Sequence, residues 1–132
     1  MLEGWHGDDY LILFDETETT AASAQYGVDR YLAGHIIVGL KGWDDFFVKG
    51  PDGRLATVPT VPLSVNHLAL FDAPINPQQI RSDVRFAGRL KWYTTPLIFG
   101  GDPLDEDNTT WVTMDQHFQL VRWWNDRYLE HK

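Results

Sequence analysis

The chain has 132 residues, a length that fits one domain with its own core, and a composition of 43% hydrophobic and 14% aromatic residues excludes bulk disorder. It has no cysteine, which excludes disulfides, thiolate chemistry and cysteine-ligated zinc, and no apolar run approaches the ~18 residues of a membrane span. The net charge of −8 falls almost wholly on residues 1–53, with ten acids and three bases, so nucleic acid is disfavoured as a partner and a basic protein is favoured, unless the acidity serves only solubility.

The start, residues 1–4, has neither the basic nor the apolar region of a signal peptide, and a cytoplasmic location is expected. Residues 10–14 (YLILF), bounded by acids, predict a strand. A helix is expected over 18–26, capped by Thr17 or Thr19 and ended by Gly27. Residues 35–40 (HIIVGL) predict a buried strand, and Gly39 and Gly42 around Lys41 suggest a bulge or a close backbone approach. Residues 45–49 and 54–58 predict two more strands joined by the turn Gly50-Pro51-Asp52-Gly53. Residues 35–63 thus read as a three-stranded antiparallel meander ended by Pro59 and Pro62. Asn76 and Pro77 look like a helix start, with the helix running to about Phe86 before Gly88. Residues 90–99 suit an edge strand or an extended segment. Thr113 and Gln116 form a capping box for an amphipathic helix over 114–130, on which Phe118, Val121 and Trp124 are expected to be buried together.

No catalytic signature accompanies these elements. The five histidines show no metal-pair spacing and read as structural, so no metal is expected. None of Ser23, Ser64 and Ser82 sits in a nucleophile elbow. The acidic stretch 102–107 lacks the order of a calcium loop and reads as a solvated loop, with weak cation binding as the alternative. The glycine-rich stretches follow no phosphate-binding pattern, and no cofactor is expected. Trp43, flanked by Gly42 and by Asp44 and Asp45 in a strand connection, is either a partly buried core residue or an interface anchor.

The order of signals is similar to that of the SUKH superfamily, the Smi/Knr type of domain. The likeness rests on Tyr31-Leu32-Ala33-Gly34-His35-Ile36-Ile37-Val38-Gly39, on Gly42-Trp43-Asp44-Asp45-Phe46-Phe47-Val48, and on Gly53-Arg54-Leu55 with Val58-Pro59. It covers roughly residues 10–64, with Ala33 where the family usually has proline. The segment Gln116-His117 through Trp123-Trp124-Asn125 to Tyr128 also resembles the final helix of some bacterial members. The resemblance implies an α+β fold over residues 1–132, a twisted antiparallel or mixed sheet with helices packed against it. It also implies a non-enzymatic immunity protein that neutralises a toxin domain, often a basic nuclease, by binding it. The alternatives are a regulatory or scaffold domain of the same fold and a small enzyme of another type. Glu16, Glu18, Asp29, Trp43, Asp44 and Asp45 are the candidates for partner contact, because they join acidic charge to an aromatic anchor.

Overall fold

A computed structural model describes residues 1–73 and 75–131. Leu2–His6 (β1) and Asp9–Leu13 (β2) form a hairpin around Gly7, whose φ of 63° suits a residue without a side chain. Two helices follow, Glu16–Tyr26 (α1) and Val28–Tyr31 (α2). The chain then enters Ile36–Lys41 (β3), Asp45–Lys49 (β4), Leu55–Pro59 (β5) and the short Ala69–Leu70 (β6). These strands form one six-stranded sheet in the order β1-β2-β3-β4-β5-β6, with every neighbouring pair antiparallel. Leu90–Tyr93 (β7) and Thr109–Val112 (β8) form a separate two-stranded sheet, and Met114–Glu130 (α3) closes the fold. The fold is α+β, with an antiparallel sheet, helices packed on it and a C-terminal helix.

The alternation of β2, β4 and β5 decides the packing. Tyr10, Ile12, Phe46, Val48, Ala56 and Val58 share one face and pack with Ala22 and Tyr26 of α1, Val121 of α3, and Leu90 and Trp92 of β7. Each fully buried large side chain of this kind contributes about 1.5–3 kcal/mol. Phe47 points the other way and is covered by Phe71, with ring centroids 5.1 Å apart. A register shift between Ile37 and Gly39 lets Ile37 and Leu40, three residues apart, both join the core. Gly39 also meets the expected close approach: a Cβ there would lie 2.3 Å from the Ile12 carbonyl oxygen.

Three expectations need correction. Asp15, rather than Thr17 or Thr19, caps α1. Its carboxylate accepts from the Glu18 amide at 2.8 Å, and Glu18 accepts from the Asp15 amide at 3.0 Å, a reciprocal pair that neither threonine offers. The expected helix over 76–86 is only a 3-10 turn at Pro77–Gln79. Asn76 does cap it, but Ile80 is extended, and the Arg81 backbone exchanges two hydrogen bonds with Trp5 at the edge of β1. The apolar residues of this segment part company instead: Phe86 joins Trp5 and Tyr10 against the core, while Val84 is 91% exposed. Finally, the fully buried stripe of α3 is His117, Val121 and Asn125, spaced four apart, while Phe118 and Trp124 flank it half-buried. Phe118 packs edge-on to Tyr26 at 4.6 Å and Trp124 lies 4.9 Å from Phe99.

Of the two buried polar residues of that stripe, Asn125 is bonded through both ends of its amide and His117 through one ring nitrogen. Asn125 accepts from the Leu63 amide at 2.7 Å and donates to the carbonyls of Thr60 and Val121, both at 2.8 Å. His117 Nδ1 lies 2.6 Å from the Tyr26 hydroxyl, which in turn donates to Met114 Sδ at 3.4 Å. Burial holds His117 down to about 3, so it is neutral.

Candidate functional site

The β3–β4 connection determines the site. Gly42 and Trp43 both have φ of 63°, and for a bulky residue such as Trp that conformation is an outlier. Aromatic packing holds it. The Trp43 indole stacks on Tyr10 at 4.7 Å with 13° between planes, and meets Trp5, Phe86 and Trp111 at 6.1, 5.4 and 5.3 Å. Trp43 is therefore half-buried in an aromatic cluster and does not project as a free anchor.

Beside it lies a cavity of about 310 Å³. The ends of the two central strands form one side, with Trp43, Asp44 and Asp45 facing the segment from Pro59 to Pro62. The β7 strand forms the other side through Lys91, Trp92 and Tyr93, and Pro96, Leu97 and His67 complete the rim. The wall at 60–63 is fixed from two directions: the Thr60 amide donates to the Asp44 carbonyl at 3.0 Å, and Asn125 grips Thr60 and Leu63 from α3.

The charged groups here stand at the rim, the Lys91 side chain 26% and the Asp44 side chain 47% exposed. Burial pushes the Asp44 carboxyl above the ordinary carboxylate range; Lys91 opposes this and Asp45 adds to it. Asp45 is raised for the same first reason, with Lys41 opposing and Asp9 adding. The Lys91 Nζ lies 4.0 Å from Asp44 Oδ2, donates to the Tyr93 hydroxyl at 3.2 Å, and sits 4.8 Å from the Tyr93 ring centre.

The six sequence candidates split into two groups. Trp43, Asp44 and Asp45 line the cavity at one end of the sheet. Glu16 and Glu18 open α1 directly after β2, at the end where Leu2 pairs with Leu13. The register places that end a strand length away, about 17 Å for five residues. Glu18 is occupied by the capping box and lies 2.8 Å from the Met1 amino group, and Asp29 accepts from the Gly34 amide at 2.8 Å. Those acids do local structural work. Asp8 and Asp9, in and beside the β1–β2 turn, join the Asp44 end instead, because Leu11 pairs with Lys41 and the Gly42 amide donates to the Tyr10 carbonyl. Sequence reasoning missed His67, Lys91, Trp92 and Tyr93. No local pattern links them to residues 43–45; only Pro59 and Pro62, as strand terminators, marked part of the wall.

In the acidic loop, Asn108 donates to the carbonyls of Thr95 and Asp102 and accepts from the Thr95 amide. Among the described residues no group of three or more His, Asp or Glu side chains is placed to hold a metal ion, and no helix is long and apolar enough to cross a membrane. Comparisons with protein-family models, with curated proteins and with solved structures return no match.

Proposed function

We propose that this chain is a non-enzymatic binding protein that takes a basic protein partner at the β3–β4 end of its sheet, and that the partner is a toxin domain it neutralises. The observation that carries the binding reading is the gathering of Asp8, Asp9, Asp44 and Asp45 at one end of the sheet, beside an aromatic-walled cavity. Carboxylates at the rim raise the association rate of a basic partner, and an apolar cavity supplies the desolvated contact that holds it. Inhibition by occlusion needs no chemistry from the inhibitor. The toxin part rests on the SUKH resemblance of residues 10–64, and the sequence helix, meander, C-terminal helix is in keeping with it.

A second reading, a small enzyme, is favoured by one feature: Asp44, Asp45 and His67 line the same cavity. Against it, among the described residues no hydrogen bond joins His67 to either carboxylate, so no acid–base pair is assembled.

The test is affinity capture from the native host at graded salt, followed by kinetics with the purified captured protein. A basic protein released by salt, slower to associate with Asp44→Lys/Asp45→Lys, supports the binding reading. Relief of its growth inhibition by co-expression of this chain supports the toxin reading. Association unchanged in the double variant removes this face from the interface.

A further inference from the structure

We propose that the cavity between the β3–β4 turn and β7 is a guanidinium site, built to receive an arginine side chain of the partner; this rests on the binding-protein reading above. Its volume of about 310 Å³ far exceeds what a single ion needs and suits a side chain.

The lining specifies the charge of the occupant. Two aspartates line it against one lysine, which favours a cation over an anion. Lys91 does not satisfy Asp44: at 4.0 Å the pair is beyond hydrogen-bond distance, and the ammonium is drawn instead to the Tyr93 hydroxyl and ring. Among the described residues no hydrogen bond reaches the Asp44 carboxylate, while its Cα–carbonyl frame is fixed by the Thr60 amide. The backbone of Asp44 is thus held in place, while its carboxylate, 47% exposed, is open to a donor from an incoming group.

The walls specify the chemistry. Trp43, Trp92, Tyr93 and three prolines line the cavity beside Asp44, an environment in which a strongly hydrated ammonium or metal ion gives up more solvation than it regains. A guanidinium is weakly hydrated, stacks on aromatic faces, and brings a fork of donors that fits a carboxylate.

The probe is N-acetyl-arginine methylamide, titrated into the full chain while amide shifts are followed by NMR, with the citrulline and lysine analogues as comparators. The expected result is saturable shifts at Asp44, Thr60 and Tyr93, in the millimolar range for so small a ligand. Citrulline should bind at least about tenfold more weakly, and the lysine analogue should fall between. Asp44→Asn, which keeps the shape, should weaken arginine about tenfold without moving the melting temperature. Equal binding of arginine and citrulline, binding indifferent to Asp44→Asn, or no saturation would each overturn the site. If the captured protein still binds while the arginine probe fails, the guanidinium site falls and the binding-protein reading stands. If the probe binds in an Asp44-dependent way and no protein is captured, the site stands and the protein-partner reading falls.

Discussion

Asn125 Nδ2 on the C-terminal helix donates to the carbonyl of Thr60 at 2.8 Å, across 65 residues of sequence, and thereby fixes the wall of the cavity to the core. The same amide accepts from Leu63, so one side chain satisfies both ends of a segment that carries Pro62 and has no ladder of its own. Replacement by Leu keeps the volume but strands a buried amide and a buried carbonyl, each costing about 1–3 kcal/mol. Asn125→Leu should therefore lose about 3 kcal/mol in urea unfolding, and Asn125→Asp less at low pH, where it regains a donor. A loss below about 0.5 kcal/mol for the Leu variant would show that the wall holds itself.

Stability should fall below neutral pH because of His117. Its folded value, about 3, lies below the ordinary 6.5. Below pH 6.5 the unfolded chain takes up a proton that the folded chain refuses, so stability present above 6.5 is lost as pH falls toward 3, by up to about 1.4 kcal/mol per pH unit. The comparison is with His117→Gln, whose pH profile should be flatter between 6.5 and 4.5. Parallel profiles would contradict the buried neutral imidazole.

Trp43 should reverse the usual order of alanine and glycine. Both substitutions remove the indole from its stack on Tyr10, a loss of about 2–4 kcal/mol for a half-buried aromatic. At φ of 63° alanine keeps the left-handed penalty of about 1–2 kcal/mol, and glycine is free of it. Trp43→Gly should melt above Trp43→Ala.

Gly39 and Gly53 separate two glycine roles. At Gly39 an added Cβ meets the Ile12 backbone at 2.3 Å, so β2 and β3 must part and Gly39→Ala should cost more than about 3 kcal/mol, or prevent folding. At Gly53, with φ of 81° and open space, alanine meets only the backbone penalty of about 1 kcal/mol. Similar melting temperatures for the two variants would refute the close approach.

Phe118→Ala tests the flank of the C-terminal helix. The ring is half-buried against Tyr26, so the loss should be about 2 kcal/mol, short of the 3–5 kcal/mol of a fully buried phenylalanine.

Local chemistry determined much of this protein. The meander at 36–59 is legible because β3 and β4 are short apolar runs, β5 alternates, and the Gly50–Gly53 turn joins β4 to β5. The C-terminal helix was legible because its capping box and apolar spacing lie within one segment. The same local reading failed at 76–86, where a genuine cap leads into Arg81, and the edge of β1 claims the backbone that a helix would have used. It also favoured Phe118 and Trp124 over His117 and Asn125. Polar side chains look like surface residues until a distant phenol, carbonyl or amide is there to satisfy them. The acidic candidates could be counted in sequence but not placed. Only strand pairing put Asp44 and Asp45 at one end and Glu16 and Glu18 at the other, because antiparallel register sends successive turns to opposite ends of a sheet. Lys91, Trp92 and Tyr93 joined residues 43–45 only when the second, two-stranded sheet packed against the first, a contact between segments almost fifty residues apart that no local pattern encodes.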